Sequence, residues 1–307
     1  LPTVNVNTTG TIAGKIEVSE SISNNLNISG GTFTVEIKEA WCANGFIPKD
    51  NGNGTWTVKE GQYVARNTTT GQGYETLVEA VAAAEAGQEV KLLANVTLAS
   101  SLNVNRNVVL ELNGYNIESS TIKAIVISNA QLTVNDSENK GVISAPQATL
   151  YVAENAKLIV NGGTIEGASA IQGNGSLNGT EVTINGGKID GKDEIAIYHP
   201  QNGVLNINGG TIVGSAGVEM RAGTLNMTEG TVEATGTFAT RKHDSGQTVD
   251  GVAIALSQHT TNHNVDINIT GGTIKSSANG KAFYQDRLTE TYTPSINITA
   301  DIAATTV

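Results

Sequence analysis

The sequence has few aromatic residues, a single cysteine and no long apolar run. Aromatic side chains are 4% of the 307 residues, which supplies too little large apolar surface for several compact cores. Cys42 has no second cysteine to pair with, so we expect no internal disulfide and a small, buried, apolar and unreactive residue on a short helix. Because a transmembrane helix needs about 18 or more consecutive apolar residues, the sequence predicts no membrane insertion in this segment.

Basic residues are also sparse. The chain has 18 Lys and Arg against 29 Asp and Glu, a formal net charge of −11, and the basic residues form no stripe. This charge distribution excludes a nucleic-acid partner and disfavours an anionic membrane surface. The chain opens at Leu1 and Pro2 without a basic and apolar leader, so we expect any export signal to lie outside this segment.

Glycine, asparagine and threonine are abundant instead. Gly supplies 35 residues, and the hydrophobic share of 38% consists mostly of Val, Ile, Leu and Ala. That share is too high for a disordered chain. Small β-branched residues with Gly and Asn turns favour strands packed around narrow cores.

One phrase occurs five times in the second half of the chain. Its copies read LIVNGGTIEG, VTINGGKIDG, LNINGGTIVG, LNMTEGTVEATG and DINITGGTIKSS. The second glycines of the copies lie 24, 23, 20 and 42 residues apart. We interpret the last step as one coil enlarged by an insertion at residues 236–250. The glycines are Gly163, Gly187, Gly210, Gly230 and Gly272.

Repeats of this length predict a solenoid, because one coil cannot bury its apolar face alone. A second apolar motif recurs between the glycines, so each coil is expected to hold three strands. The fold class is therefore all-β, a right-handed parallel β-helix of 20 to 24 residues per coil. A left-handed hexapeptide helix would need a stricter rhythm of about 18 residues per coil. We expect the turn residues Asn161, Asn185 and Asn208 to form a side-chain ladder.

The chain is expected to contain two parts. Residues 74–86 form an amphipathic helix, with Leu77, Ala80, Val81 and Ala84 on one face, which would cap the exposed end of the solenoid. We therefore assign residues 67–307 to a capped β-helix. Residues 1–66 are assigned to a terminal coil fragment followed by a small α+β closing element. This arrangement predicts a segment of a longer multi-module chain.

The phrases GGTF, GTWTV, YETLVEAVAAAEAGQEVKLLANVTL and VVLELNGYNI resemble recurring modules of large secreted or surface-anchored proteins of gut bacteria. The coil phrases are similar to the pectin lyase-like superfamily of right-handed β-helices. The resemblance covers nearly the whole chain. It implies the fold and an extracellular or cell-surface location, but it implies no particular activity, because the superfamily includes lyases, hydrolases, adhesins and stalks.

Residues that would indicate catalysis or a metal are spread thinly. The NTD, DD, GHG and RIK clusters that polygalacturonase-like members share are missing. Asp190, Asp193 and Glu194 cluster at one turn and Asp136 with Glu138 at another, but neither spacing matches a calcium loop, so we interpret both as structural turns. His259 and His263 have the spacing of a helical metal site but lie in a loop sequence. No catalytic residue, metal or cofactor is predicted.

One neighbourhood favours ligand binding. If the strands SAIQ, IAIYH, GVEMR, VAIAL and KAFYQ stack, their outward residues form a column. The column residues are Gln172, Tyr198, Glu219, Ala255 and Tyr284. The turns after these strands bring further polar residues to the same edge, beside the loop at 257–264. The inserted loop at 236–250, which contains His243, is expected at the other edge, so that the two loops flank one face and form a groove. The predicted ligand-binding residues are Tyr198, His199, Glu219, Arg221, His259, His263, Tyr284, Asp286 and Arg287.

Aromatic, acidic and basic side chains in a groove suit carbohydrate, whereas the same residues are also ordinary at loop tips. We therefore expect a non-catalytic extracellular module of a bacterial surface or secreted protein, spacer-like or adhesin-like, whose partners are glycans or a host surface. The alternative is a polysaccharide lyase or glycoside hydrolase acting around Glu219 and Arg221, with Glu219 and Asp286 as a carboxylate pair. A trimer of the phage tail-spike type is less favoured, because no trimerising segment is present.

Overall fold

The structure is a computed structural model that describes residues 3–18, 25–286, 295–299 and 303–306. The chain divides into two compact units, one containing residues 1–64 and 73–75 and the other residues 65–72 and 76–307. Both units consist mainly of β-strands.

The second unit is a parallel β-solenoid of about nine turns, as the repeats predict. Strands of successive turns pair in parallel and build three stacks. The first stack contains Glu89–Leu92, Val108–Glu111, Gln131–Asn135, Lys157–Val160, Asn178–Ile184, Asn202–Gly214, Gly223–Ala234, Val265–Ile269 and Ser295–Ile298.

The second stack contains Val96–Leu98, Ile117–Ser119, Val142–Ser144, Thr164–Glu166, Lys188–Asp190, the later halves of Asn202–Gly214 and Gly223–Ala234, Thr273–Ser276 and Ala303–Thr306. The third stack contains Leu102–Val104, Lys123–Ile127, Ala148–Val152, Ser169–Gln172, Ile195–His199, Ala216–Met220, Val252–Ser257 and Lys281–Asp286. A complete turn therefore holds three strands, as predicted.

Alternating side chains fill the interior of the solenoid. Leu205 and Ile207 are fully buried, whereas Asn206 between them is only partly buried. Leu205 pairs with Leu225, which pairs with Ile267, so that each turn places a branched apolar residue on the one before. This continuous column of apolar side chains is the hydrophobic core that no single turn could form.

The predicted asparagine ladder is present in the turns. Asn185 Nδ2 donates to Asn161 Oδ1 at 2.8 Å, and Asn208 Nδ2 donates to Asn185 Oδ1 at 3.0 Å. The ladder extends one step further, since Asn161 Nδ2 donates to Asn135 Oδ1 at 2.8 Å. Each amide thereby satisfies a donor and an acceptor of its neighbours in the adjoining turns.

We expect the substitution Asn185→Ala to lower the free energy of unfolding by about 1 kcal/mol, because it removes two hydrogen bonds at an exposed position. Urea denaturation followed by circular dichroism measures the change. Asn103→Ala is the control, since Asn103 is exposed in a strand and outside the ladder. Equal stability of the two variants would show that the ladder contributes nothing.

The glycine of each repeated phrase is required by the close approach of successive turns. Gly187 has a φ of +77°, and a Cβ atom there would lie 2.5 Å from the carbonyl oxygen of Gly163. A larger residue would be strained twice, by its backbone conformation and by this backbone contact. The marker glycines therefore reflect stacking of the turns.

The helix of the second unit spans Leu77–Ala83, shorter than the predicted 74–86. Thr76 caps it, because its Oγ1 accepts from the Glu79 N–H at 3.1 Å. Ala84 already has an extended backbone, which ends the helix early. The predicted apolar face is confirmed, since Leu77, Ala80, Val81 and Ala84 are all buried. The strand Ala65–Asn67, before this helix, pairs antiparallel with Glu89–Leu92.

The long step in the repeat is one enlarged turn, as predicted. Strand Gly223–Ala234 pairs directly with Val265–Ile269, so no further turn lies between them. The inserted residues form an antiparallel hairpin of Ala239–His243 and Gly246–Asp250. We refer to residues 239–250 as the inserted hairpin.

The first unit combines parallel and antiparallel strands. Val4–Val6 pairs in parallel with Leu26–Ile28, and Thr11–Ile12 with Thr32–Phe33. Thr32–Phe33 then pairs antiparallel with Trp56–Glu60, which pairs antiparallel with Phe46–Asp50. A 3₁₀ helix at Glu39–Trp41 and a short strand at Gly73–Tyr74 complete the unit.

Cys42 directly follows the 3₁₀ helix of the first unit and has an extended backbone, so it does not lie on the helix as predicted. It is half-buried rather than fully buried, and it packs against the apolar core of the unit. Burial, with a smaller contribution from Glu39, raises the pKa of the Cys42 thiol to about 11. The thiol is therefore protonated at neutral pH and weakly nucleophilic, as the sequence predicts.

Among the residues that the structure describes, no helix is both long and apolar enough to cross a membrane.

Candidate functional site

The predicted column on the third stack is present in register. Gln172 pairs with Tyr198, Tyr198 with Glu219, Glu219 with Ala255, and Ala255 with Tyr284. Five short apolar phrases in the sequence were thus sufficient to align side chains from five successive turns.

The inserted hairpin covers the later part of this column. Val249 packs in an apolar cluster with Ala255, and the Phe238 and Tyr284 rings lie 5.0 Å apart. Gln247 Nε2 also donates to the Tyr284 hydroxyl at 3.1 Å. Glu219 and Ala255 consequently have no exposed surface. The predicted groove is therefore closed over these positions.

Arg221 fastens the hairpin to the solenoid. Its Nη2 donates to the Ser245 carbonyl oxygen at 2.6 Å, and its Nη1 donates to Ser245 Oγ at 3.0 Å and to the Tyr198 hydroxyl at 2.7 Å. The Nε donates to the Ser257 carbonyl oxygen at 3.0 Å. The guanidinium is fully buried, so its planar set of donors connects three segments without solvent.

The turn of the hairpin has room for glycine alone. A Cβ atom on Gly246 would lie 2.4 Å from Arg221 Nη2, and Gly246 has a φ of +113°. The Ser245 carbonyl oxygen also accepts from the Thr260 N–H at 3.1 Å. The hairpin tip and loop 257–264 therefore meet, and residues of both line one face of the solenoid.

Glu219 is buried beside Arg221. The Ser257 hydroxyl donates to Glu219 Oε1, and Arg221 Nε lies 3.9 Å from the same oxygen. Burial raises the pKa of Glu219 to about 7, and the Ser257 hydrogen bond and the Arg221 charge offset part of this increase. The carboxyl group can therefore exchange a proton near neutral pH, but it does so beneath the hairpin.

His199 is buried at the end of its strand. Gln201 Nε2 lies 3.3 Å from His199 Nδ1. Desolvation lowers the pKa of His199 to about 4, so the ring is neutral at pH 7. His199, Glu219 and Arg221 therefore lie in the interior and not on the open face that we expected. Strand alternation places Glu219 outward, but it does not reveal that another segment covers it.

A groove remains open over the earlier part of the column. It has a volume of about 320 Å³ and lies between the third stack, the hairpin and loop 257–264. Tyr198 and His259 are the two predicted ligand-binding residues that contribute to its wall. The groove is lined by Ser169, Gln172, Gly173, Asn174, Gly175, Ile195, Tyr198, Pro200, Ser245, Thr248 and His259.

His259 forms one wall of the groove. Its Nδ1 accepts from the Thr261 N–H at 3.1 Å, so the neutral ring carries its proton on Nε2. The ring packs against Gly175, where a Cβ atom would lie 2.3 Å from His259 Cε1. The glycine therefore admits the imidazole of a loop that returns from a later turn.

The remaining predicted site residues lie away from the groove lining. Tyr284 is held by the hairpin, and Asp286 is at the strand end, where its carbonyl oxygen accepts from the Gln258 N–H at 3.3 Å. His263 is half-buried in loop 257–264. Arg287 lies outside the described residues.

The acidic turns have structural partners. Asp136 accepts from the N–H groups of Gly114 at 2.8 Å and Gly141 at 2.7 Å. Partial burial opposes ionisation of Asp190, but hydrogen bonds from the Lys188 ammonium and the Lys192 N–H lower its pKa. Both aspartates thus hold turns, which is the role that the sequence indicates.

Other residues of the groove were not predicted individually. Among them, Asn174 lies between two glycines after the strand SAIQ, and Ser245 and Thr248 belong to the inserted hairpin. The glycine pair is a detectable signal of a wide turn. The position of the hairpin depends on Arg221, and no local pattern indicates that contact. No protein-family model matches the chain, and neither a curated protein nor a solved structure matches it.

Proposed function

We propose that the chain is a non-catalytic extracellular module of a bacterial surface or secreted protein, spacer-like or adhesin-like, that binds carbohydrate in the groove beside Tyr198. The observation that carries this proposal is the inserted hairpin. It is the large interruption of a repeating solenoid, and it forms a wall of the 320 Å³ groove. A stalk that only spans distance has no need of such a wall.

The chemistry of the lining supports carbohydrate. Amides of Gln172 and Asn174 and hydroxyls of Tyr198 and Thr248 surround the groove. These groups donate and accept hydrogen bonds as sugar hydroxyls do, and the aromatic ring offers a surface for a pyranose. The groove volume is at the lower end of the range for small-molecule sites, which fits one or two sugar rings.

We further propose a right-handed solenoid of the pectin lyase-like type, as in surface proteins of gut bacteria. Support comes from the parallel pairing of all three stacks, because parallel crossovers are overwhelmingly right-handed. The buried face of helix Leu77–Ala83, just before the first turn, supports its role as a cap. Glycans or a host surface are the proposed partners, and a longer multi-module chain is the proposed context.

Catalysis by Glu219 is the alternative function. A pKa of about 7 would suit a general acid, yet the carboxyl group is fully covered by the hairpin and lies outside the groove lining. We therefore do not place a lyase or hydrolase reaction there. Release of reducing ends or unsaturated products from a polysaccharide panel would reverse this choice.

The proposal is tested on a glycan array followed by titration calorimetry with the oligosaccharides that bind. We expect Gln172→Ala to weaken binding about tenfold, since it removes side-chain hydrogen bonds to the sugar. Thr97→Ala, at an exposed position of the second stack, is the matched control and is expected to bind normally. No binding above background across the array would leave the chain as a stalk.

A further inference from the structure

We infer that the groove recognises the end of a neutral glycan chain, with the Tyr198 hydroxyl as an oriented hydrogen-bond donor that determines specificity. This inference rests on the proposed carbohydrate binding. It adds the class of glycan, the direction in which it lies and the residue that selects it.

The hydrogen bonds of Tyr198 fix the direction of its hydroxyl proton. Arg221 Nη1 donates to the Tyr198 oxygen at 2.7 Å. A guanidinium only donates, so the phenol oxygen is the acceptor and its own proton must point elsewhere. No described residue accepts that proton in a hydrogen bond, and Tyr198 lines the groove. A sugar hydroxyl, ring oxygen or amide carbonyl in the groove would accept it.

Arg221 also strengthens this donor. The guanidinium is fully buried, and its carbon lies 5.7 Å from the centre of the Tyr198 ring. A positive charge beside the phenol oxygen polarises the O–H bond and makes it a stronger hydrogen-bond donor to a group in the groove. The surrounding protein screens that charge poorly. The same residue that fastens the hairpin therefore orients and polarises Tyr198.

The groove is closed toward the later turns. Beyond Tyr198 the next two positions of the column are Glu219 and Ala255, both without exposed surface beneath the hairpin. Ser245 and Thr248 of the hairpin line the groove at this side. A polysaccharide cannot continue past them, so a bound chain must terminate there.

The groove is open toward the earlier turns. Tyr151, half-buried, pairs with Gln172 and so lies two turns before Tyr198, at about 10 Å from the strand spacing. This distance is close to the repeat of two sugar rings in an extended chain. Lys123 Nζ lies 3.3 Å from the centre of the Tyr151 ring, so the surface there carries a positive charge, unlike the lining of the groove. The groove itself thus holds the terminal one or two sugars.

The lining indicates a neutral sugar. The side chains around the groove carry amides, hydroxyls, a phenol and an imidazole, without a carboxylate, ammonium or guanidinium group among them. The net charge of −11 further opposes a polyanionic chain. The groove lining offers no exposed cation that would pair with the charged groups of uronates or sulfated sugars.

The test measures binding of cello-, xylo-, manno- and malto-oligosaccharides of increasing length, together with α-cyclodextrin, which has no chain end. We expect the affinity, expressed per chain, not to increase beyond a length of two sugars. If the site accepts α-glucans, we expect maltohexaose to bind and α-cyclodextrin not to bind. Affinity that rises in proportion to length would overturn end recognition while leaving carbohydrate binding intact. Failure of the wild-type protein to bind any member would overturn the proposed function as well.

Tyr198→Phe tests the donor. We expect about tenfold weaker binding of the best oligosaccharide, whereas Tyr151→Phe, the matched control outside the groove lining, changes binding less than twofold. Because Tyr198→Phe also removes an acceptor of Arg221, Gln172→Leu serves as a second variant that leaves the hairpin contacts unchanged. Unaltered binding by Tyr198→Phe would show that the phenol proton does not select the sugar.

Discussion

Replacing Arg221 by Met is expected to lower the free energy of unfolding by about 3 to 5 kcal/mol, the range observed when one partner of a buried ion pair is removed. Glu219 would lose its buried counter-charge, and the Ser245 and Ser257 carbonyl oxygens would lose donors. The loss is concentrated at the hairpin, because two of the broken hydrogen bonds join Arg221 to Ser245. The hairpin should therefore open before the solenoid unfolds.

Urea denaturation measures the global change, and hydrogen exchange of the amides at 239–250 measures the local one. Arg241→Met is the matched control: Arg241 lies in the same hairpin and pairs with Asp250, but its side chain is 51% exposed. Exposed ion pairs contribute about 1 kcal/mol or less. Similar effects of the two substitutions would contradict a special role of Arg221.

Arg221→Lys separates charge from geometry. Lysine keeps a positive charge near Glu219, yet its single ammonium cannot reproduce the planar fork that reaches Ser245, Ser257 and Tyr198 together. We expect its stability to lie between those of the wild type and Arg221→Met, with hairpin amides that still exchange faster than in the wild type.

The repeating part of the fold could be read from sequence because it is set by local rules. Apolar residues such as Val and Ile alternate with polar ones within each strand. Glycines such as Gly187 adopt positive φ where turns approach each other, and Asn185 pairs with its neighbours in adjoining turns. Each rule applies again in every turn, so the structure of one repeat predicts that of the next. The register of Gln172 with Tyr198 followed for the same reason.

The site could be predicted only in part, because it depends on contacts that occur once. Strand alternation placed Glu219 outward, and an outward residue is normally exposed. Here the inserted hairpin covers it, and the contacts that hold the hairpin join Arg221 to Ser245, which lie 24 residues apart. Such a contact occurs once and leaves no periodic pattern in the sequence. Tyr198 and His259 were found, whereas Ser245 and Thr248 of the groove wall were not.

The second large effect expected is a pH dependence of stability that the substitution Glu219→Gln should reveal. Burial raises the pKa of Glu219 to about 7 in the folded protein, whereas the carboxyl group titrates near 4.5 when solvated. Between these values the folded state binds a proton that the unfolded state has released. The free energy of unfolding therefore falls as pH rises through this window, by up to about 3 kcal/mol, and is constant above it.

His199 produces the opposite slope. Desolvation lowers its pKa from 6.5 to about 4, so between these values the unfolded state binds a proton that the folded state does not. Stability then rises with pH in this window. The two contributions overlap between pH 4.5 and 6.5 and largely cancel in the wild-type protein. The wild-type profile alone would consequently hide both groups.

Glu219→Gln removes one of the two slopes. In the variant, we expect stability to rise by up to about 3 kcal/mol from pH 4 to 6.5 because of His199, while the wild type changes much less. Urea denaturation at half-unit pH intervals from 4 to 8.5 gives the difference between the two proteins, which cancels the contributions of all other groups. The free energy of unfolding of the variant minus that of the wild type should increase progressively up to pH 7 and then become constant. A difference independent of pH would mean that Glu219 titrates as an ordinary solvated carboxyl group and that the hairpin does not shield it from water.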